Sequence, residues 1–220
     1  MRRIFTPRLI VALLLPGLAG CIISKDPYVY NPHTLIGRFD SESPQVYNVH
    51  TVEPGILIRG AQPDDEKGVR ALRDHFGIKT IINLNDHPNK DEPKYAADLG
   101  IAYVPLPDDP FNEEEDRDLH LALLKAIHTA QRNGPVYVHC ATGSDRAGLA
   151  VALYRVVDCG WDAATALAEL RQHQPYYMAV FFYHYPDMLR EAEKNRTEWL
   201  RTLDAMPDPP IQPSAVANKN

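Results

Sequence analysis

The run Val136-Tyr137-Val138-His139-Cys140-Ala141-Thr142-Gly143-Ser144-Asp145-Arg146-Ala147-Gly148 carries more structural information than any other in the chain. Its first three residues, apolar and β-prone, predict a short buried strand, and the Ala- and Leu-rich stretch 147–157 predicts a helix. Between them Cys140 and Arg146 are separated by five residues, enough to wrap one loop around a tetrahedral anion. Successive backbone N–H groups can then point inward while the helix N-terminus adds its partial positive charge. Gly143 frees the backbone from Cβ clashes, and Arg146, with its planar fork of donors, can grip two phosphate oxygens and the trigonal transition state. A thiol in that field is expected to ionise below its free value of about 8.5, into the ~3.5–7.5 range of activated cysteines. The candidate set is thus Cys140 as nucleophile, with Ala141, Thr142, Gly143, Ser144, Asp145 and Arg146 holding phosphate.

Outward from this loop, apolar periodicity predicts strands at 56–58, 79–84 and 101–106. Helices are predicted at 64–76, closed by Gly77, at 90–99, stopped by Gly100, and at 113–132, ended by Asn133-Gly134. Further helices follow at 147–157, at 162–173 behind an Asp162 N-cap, and at 186–203. Strands alternating with helices predict an α/β fold: a central, mostly parallel sheet flanked by helices on both faces.

With 220 residues, 24% charged and 45% apolar, the chain fits one globular domain with modest extensions. A net charge of -6 argues against a nucleic-acid partner. Three cysteines lack a CxxC pair or metal-ligand spacing, so neither a metal nor another cofactor is expected. Cys159 reads as core packing, and His120 and His128 on the long helix read as exposed. Tyr176, Tyr177, Phe181, Phe182, Tyr183 and Tyr185 form an aromatic patch expected to pack beneath the last helix.

At the N-terminus, Arg2, Arg3 and Arg8 accompany an apolar run from 9 to 15, the layout of a secretory signal and too short to span a bilayer. Leu18-Ala19-Gly20-Cys21 resembles a bacterial lipobox, which implies lipid on Cys21 and cleavage before it. Ile22 in place of Asp leans toward the outer membrane, on the periplasmic side. The expected division is a lipoprotein signal over 1–20, a lipid-anchored tether over 21–45, a domain over 46–203 and a Pro-rich flexible tail over 204–220.

His139-Cys140 with Arg146 after five residues is similar to the His-Cys-x5-Arg signature of the cysteine-based protein tyrosine phosphatase superfamily, in its compact dual-specificity branch. Ile58-Arg59-Gly60-Ala61-Gln62-Pro63, Gly77-Ile78-Lys79-Thr80-Ile81-Ile82-Asn83-Leu84 and Leu153-Tyr154-Arg155 extend the resemblance. It implies a phosphatase-like fold and a reaction in which Cys140 attacks phosphorus, an aspartic acid protonates the leaving oxygen, and water hydrolyses the phosphocysteine. Asp108, in Pro105-Leu106-Pro107-Asp108-Asp109-Pro110, is the first choice for the acid and Asp109 the alternative. The implied substrates are phosphorylated proteins or small phosphomonoesters.

His139 is expected to orient the loop rather than donate a proton. Asp145 fixes the loop, counters the charge of Arg146 or faces solvent, and Arg59 either neutralises phosphate or covers the sheet edge. Ala147 departs from the family's usual Ser or Thr, which predicts slower breakdown of the intermediate and burst kinetics. The neutral Thr142 and Ser144 point to monophosphoryl substrates. Two competing readings are a phosphate-binding module without turnover and a rhodanese-like enzyme; Gly60-Ala61-Gln62-Pro63 argues against the latter.

Overall fold

β5 (Val136–Cys140) is buried at all five positions, which explains its continuous apolar character: it is the middle strand of a sheet covered on both faces. A computed structural model, describing residues 46–107, 117–173 and 184–210, sets it among β1 (His50–Glu53), β2 (Leu57–Ala61), β3 (Thr80–Asn83) and β4 (Ala102–Pro105). The order is β1-β2-β5-β3-β4. All neighbours pair in parallel except β1, which joins β2 antiparallel at the edge. This edge strand is absent from the sequence reading because His-Thr-Val-Glu has no apolar run to announce it. It turns back to β2 through Gly55 at φ 72.

Two helices, α1 (Glu66–Phe76) and α2 (Glu92–Asp98), cover one face around Ile58, Ile81, Tyr103 and Tyr137. Asp65 caps α1 by accepting from the Gly68 amide at 3.1 Å, and Gly77 closes it in the left-handed region. The other face is covered by α3 (Arg117–Gln131), α4 (Arg146–Val157), α5 (Ala163–Gln172), α6 (Tyr185–Lys194) and α7 (Arg196–Ala205). Their core includes Leu57, Ile82, Val136 and Val138. Helix α4 is buried at every position. Its small residues let α5 and α6 approach it closely, which places the N-terminus of α4 deep in the domain.

Two expectations change. The helix predicted over 186–203 is two helices, because Asn195 leaves helical geometry at φ -107, ψ 20, while its Nδ2 donates to Glu191 Oε1. The ordered chain also runs past 203: α7 ends at Ala205, and Asp208 accepts from Thr129 Oγ1 at 3.0 Å and Arg132 Nη1 at 2.8 Å. Among the described residues no helix is long and apolar enough to cross a membrane.

Candidate active site

Parallel strands bring the ends of β2, β3 and β5 to one edge of the sheet, where α/β folds build their sites. The loop leaving β5 there has its carbonyls pinned from outside. Cys140 O lies 3.2 Å from His139 Nδ1 and Ala141 O accepts from the Gln62 amide at 3.3 Å. Thr142 O accepts from Asn48 Nδ2 at 3.1 Å and Gly143 O from Arg59 Nη2 at 2.9 Å. In a trans peptide the carbonyl and the next N–H point in opposite directions. Four outward carbonyls therefore turn the amides of Ala141, Thr142, Gly143 and Ser144 toward the concave side, an anion-binding nest at the start of α4.

The residues that impose this shape come from β2 and from the segment before β1. Gly143 has φ +74, and a Cβ there would lie 2.6 Å from the Ala61 amide nitrogen and closer still to the Gly60 carbonyl carbon. Gly60 in turn is obligatory because the Tyr137 hydroxyl crosses it to donate to Ala61 O at 2.6 Å. The Arg59-Gly60-Ala61-Gln62 stretch is thus the seat on which the loop rests. Asn48 clamps the loop twice, at Thr142 O and at Ser144 Oγ, 3.2 Å away. It is the non-glycine residue held at positive φ, 51°, among the described residues. Such strain, at a cost of order 1 kcal/mol, collects at functional sites. With its Nδ2 committed as donor, Asn48 Oδ1 accepts from His50 Nε2 at 2.7 Å.

Arg146 opens α4 and reaches back to the end of β3. Its Nη1 donates to Leu84 O at 3.0 Å and to Asp86 Oδ1 at 2.7 Å. That hydrogen bond holds the Asp86 carboxyl below the usual carboxylate range. Leu84 N donates to His139 O at 2.8 Å, so β3, β5 and the arginine are locked together. An arriving phosphate therefore meets a guanidinium already oriented by an acceptor it must share or displace.

Two polar clusters back the loop, one on each face of β5. Toward α2, Asn83 Nδ2 donates to Glu92 Oε2 at 3.0 Å and lies 2.6 Å from the Tyr103 hydroxyl, which donates to Glu92 Oε2 at 3.2 Å. Glu92 Oε1 lies 2.9 Å from His139 Nε2, both side chains being fully buried. Burial and the Glu92 charge push the Tyr103 hydroxyl well above its ordinary value, so it stays a donor. On the α4 side, the rings of His50 and His173 meet with centroids 4.0 Å apart, tilted by 50°. Burial and then the Arg59 charge push His50 down to about 4; for His173 the same causes, with His50 added, reach about 2.

The loop residues come together as the motif predicts, with differences in exposure. Cys140 is only 1% exposed, at the floor of the nest rather than open to solvent, while Ala141 and Thr142 above it are exposed. Asp145 is buried rather than solvated. Ala147 is fully buried against the core. His139 points to the α2 face, away from the nest. Asp108, Asp109 and Cys21 lie outside the described residues, as does the aromatic patch apart from Tyr185, which is 3% exposed at the start of α6.

Cys159 lies half-buried against the core just past α4, and it is disulfide-bonded rather than a packing residue alone. The two histidines read as exposed are not: His120 is buried, and His128 Nε2 meets Asp158 Oδ1 at 2.6 Å. Amphipathic period alone does not show that α3 is covered by α7 as well as by the sheet. Asn48, His50, Asp86, Glu92 and His173 went unread; only the Asp86 position, just past a strand at the motif's sheet edge, carried a usable signal. No group of potential metal ligands occurs among the described residues.

Known proteins share this fold. The dual specificity protein phosphatase TpbA of Pseudomonas aeruginosa (strain UCBPP-PA14) is 33% identical over 116 residues, covering 53% of this chain and 50% of that protein. The chain thus spans about half the length of the curated relatives it matches. A crystal structure of P. aeruginosa TpbA superposes with a TM-score of 0.56 at 28% identity, covering 70% of this chain and 94% of that one. A second, of a cysteine-to-serine TpbA variant in complex with pTyr, gives 0.56 at 27% identity, covering 70% and 99%. Residues 47–205 match the model described as PTP-SAK, Swiss Army Knife protein, DSP-PTPase phosphatase domain, and by that match over more than half its length the chain belongs to this family.

Proposed function

We propose that this chain is a cysteine-dependent phosphomonoesterase of the tyrosine and dual-specificity type. The observation that carries the reading is the set of four carbonyls, Cys140 to Gly143, met from outside by His139, Gln62, Asn48 and Arg59, which leaves a row of amides on the concave side between Cys140 and the helix that Arg146 opens. A phosphoryl group seated there has its equatorial oxygens on N–H donors and on Arg146, and its phosphorus against the sulfur. Thiolate attack forms the S–P bond as the P–O bond to the leaving group breaks. The loop containing Asp108 and Asp109 supplies the proton to that oxygen. Water then displaces Cys140, releasing inorganic phosphate.

The nest binds one phosphate, and Thr142 and Ser144 add no charge for a second, so the substrate is a monophosphoryl ester. Phosphotyrosine is the favoured class, supported by the pTyr complex of the TpbA relative. The Leu18-Ala19-Gly20-Cys21 sequence supports a lipid-anchored protein on the periplasmic side of a bacterial membrane, the outer one favoured. Labelling with a fatty acid should tag the wild type and not Cys21→Ser.

Phosphate release from p-nitrophenyl phosphate and a phosphotyrosine peptide tests the activity. Wild type should turn over both, with a first turnover faster than the steady state because Ala147 offers the departing sulfur no hydroxyl. Cys140→Ser should release none. Release by Cys140→Ser at the wild-type rate would refute the reading.

A further inference from the structure

Arg59 lies on β2 and is 1% exposed. Paired residues of a ladder share a face, and Arg59 pairs with Val138 while Ala61 pairs with Cys140. The guanidinium and the thiol therefore project to the same side of the sheet, on adjacent strands and two positions apart, against α4. Only one guanidinium nitrogen is bonded: Nη2 donates to Gly143 O at 2.9 Å, whereas Nε and Nη1 are buried without a hydrogen-bond partner. Among the described residues no carboxylate lies within ion-pair distance of it. Glu169 is already committed to Arg155, accepting from Nε and Nη2 at 3.0 Å each.

Burying a charge without a hydrogen-bonded counter-ion costs several kcal/mol, and folds keep such charges where another anion answers them. The charged and titratable groups facing Arg59 are Tyr137 and Cys140 on β5, Asp145 in the loop, Glu169 on α5, His50 on β1 and His173 after α5. Burial pushes the guanidinium down to about 10, which leaves it charged at neutral pH. Of the groups facing it, Cys140 is the one that the chemistry of the site requires as an anion.

We propose that Arg59 is the second cation of the site, a positioning residue whose charge answers the Cys140 thiolate from beneath the loop while its Nη2 holds Gly143 O outward. This rests on the phosphatase reading for its purpose but not for its physics. Arg146 faces the substrate; Arg59 never touches it. The two arginines divide the work, one gripping the phosphoryl oxygens and the other sustaining the nucleophile and the shape of the nest.

The test is the pH dependence of iodoacetamide alkylation of Cys140 in the whole chain, read above the range near 4 in which His50 titrates. Arg59→Gln should raise the midpoint by about one pH unit, a roughly tenfold loss of reactive thiolate below it. Its kcat for p-nitrophenyl phosphate should fall with little change in KM. Arg59→Lys, keeping the charge, should recover most of the midpoint. A folded Arg59→Gln with the wild-type midpoint overturns the proposal. Should that variant fail to fold, the Arg59 Nε–H resonance of the wild type decides: it should move when Cys140 is alkylated, and a resonance that stays in place overturns the proposal equally. Wild type that alkylates at low pH yet releases no phosphate would sink the phosphatase reading alone. Normal phosphate release with an unshifted Arg59→Gln midpoint would sink only the role of Arg59.

Discussion

The two polar clusters behind the loop differ in how their charges are answered. Toward α2, the fully buried Glu92 accepts at Oε2 from Asn83 and Tyr103, while its Oε1 lies 2.9 Å from His139 Nε2 without forming a hydrogen bond. Toward α4, the buried Arg59 has one carbonyl and no carboxylate, and beside it two histidines are kept neutral. The first cluster, with Oε2 of its carboxylate twice hydrogen-bonded, reads as a structural pin between α2, β3, β4 and β5. The second is left electrically open on the side that holds the nucleophile. A fold that keeps a cation without a directly bonded carboxylate on the thiol's side of the sheet holds that cation available to the site.

Among single substitutions, one in the Glu92 cluster should cost stability most. Glu92→Ala strands the donors of Asn83 and Tyr103 in a dry interior and removes the partner of His139; a loss of roughly 3 kcal/mol is expected. In a domain of this size that lowers Tm by roughly 6–12 °C, checked by thermal denaturation. Asn48→Gly probes the open side. Glycine accepts the positive φ of Asn48 without strain, so the substitution isolates the clamp on Thr142 O and Ser144 Oγ. The expected result is a drop of about tenfold in kcat/KM, equivalent to about 1.4 kcal/mol, with a smaller change in Tm than Glu92→Ala produces.

Acid should act through the open cluster. His50 has a folded value of about 4 against 6.5 for the free side chain, and His173 lies lower still. Below 6.5 the unfolded chain binds protons that the folded chain refuses, so this stability is complete above 6.5 and drains away as pH falls through about 4. The slope is on the order of 1 kcal/mol per pH unit for each histidine. Thermal melts across that window should show it, and a His50→Asn, His173→Asn double variant should flatten it. The smallest effect concerns Arg146. Asp86→Asn removes the anion that competes for its Nη1; with the carboxylate 33% exposed the ion pair is worth about 0.2–1 kcal/mol, so orthovanadate should bind more tightly by roughly 1.5–5-fold. Weaker binding would mean that Asp86 orients the arginine more than it competes for it.

The loop and the α/β alternation were legible in the sequence because each rests on local signals: an apolar run, a glycine at a tight turn, a helix start. Arg59-Gly60-Ala61-Gln62 was visible as a motif, but its purpose was not. That Gly60 makes room for Tyr137 and that Arg59 reaches Gly143 are facts of strand pairing, invisible until β2 lies beside β5. Asn48, His50 and His173 left still less trace. They come from an edge strand without apolar period and from the end of a helix distant in sequence, brought together only by the tertiary fold. Glu92 was unreadable for the opposite reason, since a glutamate on a short helix normally faces water. The break at Asn195 was missed because asparagine is only mildly unfavourable within a helix.

In the proposed reaction a phosphoryl group passes through the sulfur of Cys140. Acid quenching during the first turnover of p-nitrophenyl phosphate, followed by mass spectrometry of the peptide carrying residues 136–148, tests this directly. A phosphoryl adduct on Cys140, present in the wild type and absent in Cys140→Ser, is the expected result. Steady release of phosphate with an unmodified Cys140 at every quench time, and undiminished release from the serine variant, would contradict it.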